Sequence, residues 1–386
     1  MISKTYCVHP FISSSLQSDN IVLPCCQFMN EAPFKKIIPI NQVRNGEFMN
    51  DMRSRMLNGE VVEGCQCFEE EAAGITATKR IHGNTKYEFT KDTKLRRLEL
   101  NLDNVCNLKC RSCGSPYSHL IFDDELALYG TTLSEKKYSK NTMYDDVDVE
   151  FLEEIEVFGG EPMLSPNTSA FFKKLKDNNK FQDLSIILST NCTIEPIDVI
   201  LDGLIECKSL DINLSIDAYG KLNDYVRHGS NFEIIVKNMD FYKNLILLRK
   251  EKHTQIRVHS VISVYTVNEI DLLNQFVKEK FPEFKKSYQV MQYPTWMNIK
   301  NTNKEFKDQV RSKILNENII SYLDSDGEDL IPHLINFTNE LDEMRNETIP
   351  NEFLKTFLNS YSNRTSLVES KIFFNNYINQ IKSNPN

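Results

Sequence analysis

The clearest pattern along the chain is a series of short apolar segments, β-branched or alternating with polar residues, that begins near residue 95. Segments of this length with a period of two are typical of strands rather than helices. Six strands are predicted, at 95–102, 154–159, 184–190, 209–217, 255–263 and 288–293. This part of the chain is therefore expected to form a sheet.

Helical patterns lie between the predicted strands, with apolar residues recurring at intervals of three and four. Clear examples are 167–179 and 231–250. Strand and helix alternating six times favour parallel strands joined by right-handed crossovers. The predicted fold class is α/β, a partial (β/α)6 TIM-like barrel whose reactive groups belong at the C-terminal ends of the strands.

The chain is predicted to have three parts. Residues 1–94 are rich in cysteine and poor in long periodic runs, which indicates a small metal-cluster module. Residues 95–300 are predicted to form the barrel. Residues 301–386 are predicted to form a charged, helical C-terminal extension, in which we identify no chemistry. Within the barrel, the polar segment 129–148 is expected to be an exposed insertion.

Composition narrows the class of protein. The 386 residues carry a formal charge of −9, so nucleic acid is an unlikely main partner. The first twenty residues lack the apolar run of a secretory signal, and no later stretch is long and apolar enough to span a bilayer, so we expect a cytoplasmic protein without a membrane partner. In a reducing compartment, ten clustered cysteines point to metal binding or catalysis rather than to disulfides.

The sequence "CNLKCRSC" places Cys106, Cys110 and Cys113 in the loop that follows the first predicted strand. Thiolates favour zinc or iron–sulfur centres. A structural zinc site is closed by four ligands, whereas three local thiols leave one corner of a metal centre open for a substrate or cofactor. A zinc loop completed by a distant Cys or His, or free buried thiols, remain alternatives.

The second predicted strand ends in "GGEP", which comprises Gly159, Gly160, Glu161 and Pro162. Paired glycines let the backbone approach a ligand closely, and a carboxylate at this point suits an ammonium group. The alternative is an ordinary strand-to-helix turn with Pro162 at the first helical position.

Taken together, "CNLKCRSC", "GGEP" after the next strand and the sixfold β/α pattern resemble the radical S-adenosylmethionine (SAM) superfamily over residues 95–295. The resemblance implies that the three cysteines hold a [4Fe–4S] cluster and that SAM binds its open iron. It also implies a set of SAM-contacting residues: Gly159, Gly160, Glu161, Ser189, Thr190, Asn191, Ser215, Asp217, Arg227 and Val261. Strand-end or turn roles for the two serines and Asp217, and a surface ion pair for Arg227, stay open.

The N-terminal cysteines resemble the auxiliary-cluster modules called twitch domains, which are related to SPASM domains. The resemblance implies that Cys7, Cys25, Cys65 and Cys67 bind a second iron–sulfur cluster, with Cys26 as a spare or substitute ligand. The pair in "GCQC" is separated by one residue where the module has two. A structural zinc site with the same cysteines remains an alternative, because four thiolates also suit tetrahedral zinc.

The resemblance predicts an enzyme with oxidoreductase or transferase chemistry that cleaves SAM reductively to a 5′-deoxyadenosyl radical. This radical would abstract hydrogen from a substrate, for which a peptide or protein is favoured. A flavodoxin or ferredoxin is the expected type of electron donor. The alternative is a zinc-stabilised scaffold protein without catalysis.

Overall fold

The computed structural model describes residues 3–30, 38–72 and 76–383. Its strands are β1 (Ser13–Gln17), β2 (Ile21–Leu23), β3 (Arg97–Leu100), β4 (Lys109–Cys110), β5 (Glu154–Val157), β6 (Ser185–Thr190), β7 (Ser209–Ser215), β8 (Arg227–His228), β9 (Thr254–Ile262) and β10 (Lys285–Val290). Eight of them form one sheet in the order β10-β9-β7-β6-β5-β3-β1-β2. All neighbours in this sheet are parallel except β1 and β2. The protein therefore has the predicted α/β class, with an open, mostly parallel sheet.

The helices lie between the strands and continue after the last one. They are α1 (His9–Ile12), α2 (Ile40–Arg44), α3 (Glu47–Leu57), α4 (Gln66–Ala72), α5 (Lys79–Lys86), α6 (Phe122–Tyr129), α7 (Pro166–Asp177), α8 (Asp198–Glu206), α9 (Lys221–Val226), α10 (Phe232–Arg249), α11 (Ile270–Lys280), α12 (Lys304–Arg311), α13 (Glu317–Leu323), α14 (Ile331–Arg345), α15 (Glu352–Ser360) and α16 (Leu367–Ser383). Among the described helices, none has the length and apolar character needed to cross a membrane.

The two helices predicted at 167–179 and 231–250 are confirmed as α7 and α10. Each helix is capped by a side chain just before it. Ser165 Oγ accepts a hydrogen bond from the Thr168 N–H at 2.9 Å, and Asn231 Oδ1 accepts from the first-turn N–H groups of Glu233 and Ile234. Because α7 starts at Pro166, Pro162 is not its first residue, and the alternative interpretation of "GGEP" as a plain helix start is wrong.

The six predicted barrel strands correspond to β3, β5, β6, β7, β9 and β10. Along β6, β7 and β9 buried residues alternate with half-buried ones. The buried face is apolar and includes Leu188, Ile212 and Val258, which belong to the main core. On these three strands the opposite face carries mostly polar side chains, and we call this face the polar trough.

The observed strands differ from the predicted ones by one to three residues at their ends, and one predicted exposed segment is wrong. Strand β10 begins at Lys285, three residues before the predicted start, because it is an edge strand whose outward residues are polar, while the apolar Met291 is buried just after its end. The segment 129–148 is not an exposed insertion. Ser134 and Ser139 are buried, and their backbone N–H groups donate to Ser115 Oγ at 2.8 Å and to Asn104 Oδ1 at 3.0 Å.

The N-terminal region shares the sheet with the barrel. Strand β1 pairs in parallel with β3, with Ser15 opposite Glu99, and β2 adds an antiparallel edge. Some of its apolar side chains, including Leu16 and Met52, belong to the same core cluster as the barrel's, whereas others form a second cluster: Tyr6, Val8, Phe11, Ile12 and Tyr87. The division at residue 94 stays a prediction, but the two parts are joined by backbone hydrogen bonds.

Candidate active site

The cysteine loop, residues 101–118, follows β3 at the C-terminal edge of the sheet. Within it, Cys110 lies in the short strand β4, which pairs with β8 so that Cys110 faces Arg227. The Cys113 N–H donates to the Cys110 carbonyl at 3.1 Å, which closes a tight turn between them. All three cysteines are half-buried and free. The loop thus sits where the parallel sheet predicts reactive groups.

The three thiols act on one another electrostatically. Burial, and after it the neighbouring Cys110, raises the pKa of Cys106 to about 12. Burial also raises the pKa of Cys113, with Cys110 and Cys106 as the next causes. Thiols grouped in this way are protonated in the metal-free chain, so binding a metal through them releases protons.

The "GGEP" turn packs directly against the cysteine loop. The Glu161 N–H donates to the Val105 carbonyl at 2.8 Å. A Cβ atom on Gly160 would lie 2.2 Å from the same carbonyl oxygen, so only glycine fits there. Gly159 adopts φ +121°, and its missing side chain leaves room for Asn101 Oδ1. The glycine pair therefore fixes the spacing between two loops.

Glu161 is buried with 1% of its surface exposed, and three donors surround its carboxylate. The Asn191 N–H donates at 2.7 Å, the Thr190 hydroxyl at 2.8 Å and the Met163 N–H at 3.2 Å. Burial raises the pKa of Glu161 to about 7, although these hydrogen bonds lower it. The structure thus brings Glu161, Thr190 and Asn191 together, as the sequence predicted.

The side chain of Asn191 extends this contact to the cysteine loop. Its Nδ2 donates to Asn107 Oδ1 at 2.9 Å and lies 3.9 Å from Cys106 Sγ. Consequently the end of β6, the turn after β5 and the cysteine loop meet at one point.

On the other side of the loop, Arg227 and Asp217 form a buried ion pair, with Nε 2.8 Å from Oδ2. The remaining carboxylate oxygen of Asp217 accepts from the Val261 N–H at 2.8 Å. Arg227 Nη1 lies 4.0 Å from Cys110 Sγ. The alternatives of a turn former for Asp217 and a surface ion pair for Arg227 are wrong, because both side chains are buried.

Ser189 and Ser215 lie on the polar face of the sheet, on neighbouring strands. Ser189 Oγ accepts from Asn213 at 3.5 Å, and Ser215 is in register with His259 of β9. Both side chains are half-buried and point into the trough rather than into the apolar core.

An antiparallel bridge between Phe28 and Cys65 joins the turn after β2, which contains Cys25 and Cys26, to the turn before α4, which contains Cys65. Burial raises the pKa of Cys7, and Cys65 and Cys67 raise it further. The half-buried Cys25 is influenced by Cys26 and, less strongly, by Cys7. Cys7 thus lies between the pair Cys65 and Cys67 and the pair Cys25 and Cys26 in these interactions, and the predicted ligand set stays a prediction.

Cys26 has a different environment. Its Sγ lies 3.1 Å from Lys79 Nζ, and its backbone N–H donates to Glu99 at 2.6 Å. Burial, with the charges of Glu99 and Glu156, raises the pKa of Cys26 to about 12 against the opposing charge of Lys79, and Cys26 in turn raises the pKa of Cys25. Cys26 therefore faces the barrel.

In the described ranges, no group of three or more His, Cys, Asp or Glu side chains is already arranged to hold a metal ion. Three further residues of types that can bind metals lie in the core. His9 is buried and hydrogen-bonded to Ser13, and Cys192 and Cys207 are fully buried.

Sequence reasoning missed a contribution from the C-terminal extension. Arg111, inside the cysteine loop, forms ion pairs with Asp342 and with Glu347, the latter at 2.8 Å. Glu347 also contacts His228 Nδ1 at 2.7 Å, and Arg345 contacts Asp124 at 2.8 Å. These charges lie more than two hundred residues from the loop in the sequence. The only sequence signal was the highly charged segment 340–347 at the end of α14.

No protein-family model and no curated protein matches the chain. Among solved structures, anSMEcpe with bound AdoMet and Cp18Cys peptide is similar with 16% identity and a TM-score of 0.36, over 66% of this chain and 62% of that one. SuiB of Streptococcus suis bound to precursor peptide SuiA gives 16% and 0.37, over 89% and 87%.

A third similar structure is the radical S-adenosylmethionine methyltransferase TsrM of Kitasatospora setae, with cobalamin and a [4Fe-4S] cluster bound. It gives 14% identity and a TM-score of 0.32, over 51% of this chain and 34% of that one. The chain thus spans less than two thirds of anSMEcpe and about a third of TsrM. At these values the activity of the chain has to be argued from its own residues.

Proposed function

We propose that this protein is a radical SAM enzyme that acts on a peptide-like substrate. One observation carries the proposal: a loop with three neighbouring thiols, at the C-terminal edge of a parallel sheet, is packed against a glycine pair and a buried carboxylate on the next strand. A zinc-stabilised scaffold has no need of the carboxylate or of the close backbone approach.

Cys106, Cys110 and Cys113 are the residues that would hold a [4Fe–4S] cluster. Their chemistry fits, because they are soft, half-buried ligands with no fourth cysteine in the loop. When bound, such a cluster supplies one electron that breaks a carbon–sulfur bond of SAM, giving methionine and a 5′-deoxyadenosyl radical. Since no three ligands are already converged, loading requires the thiols to rotate.

Glu161 is suited to bind the amino group of SAM. A carboxylate has about four lone-pair sites, and three are occupied by Asn191, Thr190 and Met163. The remaining site leaves room for one ammonium N–H. A cation there also favours the charged carboxylate, which burial otherwise disfavours.

Arg227 and Asp217 have a different role from the one predicted. Because Arg227 is already paired with Asp217, we assign its guanidinium to offsetting negative charge near Cys110 rather than to clamping a free carboxylate. Val261 contributes its backbone N–H to holding Asp217. Ser189 and Ser215 remain candidates for contacts to the ribose or methionine part of SAM.

Cys7, Cys25, Cys65 and Cys67 are proposed to bind an auxiliary iron–sulfur cluster. Cys26, which is a neighbour of Cys25 but whose thiol contacts Lys79, is assigned the role of a spare ligand. The polar trough leads away from the active site along β6, β7 and β9, where side chains such as Asn213 and His259 offer the donors and acceptors that a peptide backbone needs. A flavodoxin or ferredoxin is the proposed electron donor.

The test is anaerobic reconstitution with iron and sulfide, reduction with dithionite and measurement of 5′-deoxyadenosine formed from SAM. Wild type should form it, whereas the Cys106→Ala, Cys110→Ala, Cys113→Ala triple variant should not. Cys207→Ala, which removes a buried thiol far from the loop, is the matched control and should retain activity. Equal product from wild type and the triple variant, or stoichiometric zinc in place of iron, would refute the proposal.

A further inference from the structure

Asn107 and Thr193, which sequence reasoning missed, are both hydrogen-bonded to the side chain of Asn191. Asn107 follows Cys106 in the cysteine loop, and Thr193 lies in the turn after β6. Asn191 Oδ1 accepts from the Thr193 N–H at 2.9 Å and from the Thr193 hydroxyl at 2.6 Å. Asn107 Nδ2 donates to Thr193 Oγ1 at 2.9 Å, and Asn107 Oδ1 accepts from Asn191 Nδ2 at 2.9 Å. The side chains of Asn107, Asn191 and Thr193 thus form a closed ring of hydrogen bonds, which we call the amide clasp.

The direction of every hydrogen bond in the amide clasp follows from one donor. A backbone N–H can only donate, so the Thr193 N–H fixes Asn191 Oδ1 on its own side and turns Nδ2 toward the cysteine loop. The Thr193 hydroxyl gives its hydrogen to Asn191, so it accepts from Asn107 Nδ2, and Asn107 Oδ1 then faces Asn191. Flipping either amide would place two donors against each other. The clasp therefore has one orientation.

The amide clasp joins the two parts of the site that are proposed to bind SAM and the cluster. The backbone N–H of Asn191 donates to the buried Glu161 carboxylate at 2.7 Å. The side chain of Asn191, through Asn107, is bonded to the residue next to Cys106, and its Nδ2 lies 3.9 Å from Cys106 Sγ. One asparagine thus links the carboxylate to the Cys106 end of the cysteine loop.

The backbone between Asn191 and Thr193 is held in an unfavourable conformation to make this link. Cys192 adopts φ +62°, in the left-handed region that a residue with a side chain seldom occupies. Asn238 Nδ2 of α10 secures the turn by donating to the Cys192 carbonyl at 2.9 Å. Strain that the surroundings maintain in this way is typical of functional sites.

We propose that Asn107 and Thr193 are positioning residues for SAM, which act through Asn191 to hold Glu161 and the Cys106 end of the cysteine loop at the spacing that SAM binding requires. This inference rests on the proposed function. In this role neither residue touches SAM. Without the clasp, the end of β6 and the cysteine loop are held together less firmly, so SAM binding weakens while the three cluster ligands remain.

The test is SAM binding to the reconstituted full-length protein, measured anaerobically by equilibrium dialysis, with iron content determined in the same samples. Thr193→Val keeps the shape of the side chain and removes the hydroxyl, so the Kd for SAM should rise about tenfold, equivalent to about 1.4 kcal/mol. Thr193→Ser keeps the hydroxyl and should bind SAM as tightly as wild type. Thr356→Val, at an exposed threonine of α15, is the matched control and should leave the Kd unchanged. All three variants should bind as much iron as wild type.

Kinetics and a double variant separate positioning from direct contact. When 5′-deoxyadenosine is formed with dithionite as reductant, Thr193→Val should raise the KM for SAM and leave kcat unchanged. Asn107→Leu, which removes the other partner of Asn191, should also raise the Kd. The double variant should bind SAM no more weakly than the weaker single variant, because both residues act through Asn191. If Asn107→Leu binds little iron, Thr193→Val and Thr193→Ser decide the question.

Equal Kd values for Thr193→Val and Thr193→Ser, a fall in kcat with an unchanged KM, or effects of Asn107→Leu and Thr193→Val that add would overturn the inference while the proposed function stands. A wild-type protein that binds no SAM after reconstitution with iron and sulfide would refute the proposed function itself, and this inference with it.

Discussion

Glu161 accepts a hydrogen bond from the backbone N–H of Asn191 at 2.7 Å, so a buried carboxylate joins the turn after β5 to the end of β6. This contact sits between the cysteine loop and the polar trough. The protonation state of Glu161 therefore affects both the turn after β5 and the end of β6.

Glu161→Gln should change how the stability of the metal-free protein depends on pH. The folded pKa of about 7 exceeds the ordinary value of about 4.5, so the folded chain binds more protons and wild-type stability falls as pH rises between them. The free energy of unfolding of the variant, relative to that of wild type, should therefore rise by on the order of 3 kcal/mol between pH 4.5 and pH 7. Urea unfolding at several pH values measures it; Glu251→Gln, an exposed control, should show no such gain. A constant difference between Glu161→Gln and wild type would contradict the raised pKa.

Gly160→Ala should destabilise the protein by about 1–3 kcal/mol, because its Cβ would overlap the Val105 carbonyl and force the two loops apart. Gly220→Ala is the comparison: φ +59° with ψ −137° suits glycine, so backbone strain of about 1–3 kcal/mol is expected there too, but no atom lies within 4 Å of the added Cβ, so iron binding should be unchanged. The free energy of unfolding and the iron bound after reconstitution are the measurements. Iron binding that Gly160→Ala leaves intact would show that the loop spacing is not needed.

Lys79→Met should cost about 3 kcal/mol near neutral pH, because it leaves Glu99 buried with Arg97 as the main compensating charge. Burial alone would raise the pKa of Glu99, but Lys79 and Arg97 hold it below its usual range. The stabilisation is therefore present above the ordinary pKa and is lost as pH falls below it, so the difference from wild type should shrink in acid. Thermal unfolding of both proteins measures this. Lys173→Met removes an exposed pair with Asp177 and should cost less than about 1 kcal/mol at any pH.

Cys25→Ala should lower the iron bound by the auxiliary site more than Cys26→Ala does, because Cys7 acts on Cys25, whereas the Cys26 thiol contacts Lys79. Both substitutions are best made in the Cys106→Ala, Cys110→Ala, Cys113→Ala background, where any remaining iron reports the auxiliary site. Equal losses from the two variants would place Cys26 among the ligands.

The barrel strands were predictable because burial on one face leaves a period of two, as in β7, where Leu210, Ile212 and Leu214 are buried and the residues between them are not. The meeting of Glu161 with Asn191 followed from the rule that parallel strands end at the same edge. Patterns of this kind involve residues that are close in sequence, so they can be recognised from the sequence alone.

What could not be predicted depends on polar atoms that find distant partners. Strand β1 reads "SSSLQ", which has no apolar alternation, yet Ser13 and Ser14 are buried because His9 and Arg44 bond their hydroxyls. The link between Arg111 and Asp342 likewise joins two residues that each read as a solvated charge.

The parallel pairing of β1 with β3 makes the first ninety residues part of the barrel's own construction. A shortened chain starting at residue 95 would uncover a row of unpaired peptide groups along β3, which is the kind of edge that recruits other chains into aggregates. It would also remove Lys79, which forms an ion pair with the buried Glu99. We therefore expect a chain that starts at residue 95 to be less stable and more prone to aggregation than the full-length protein, because its sheet would lack the strand that covers β3.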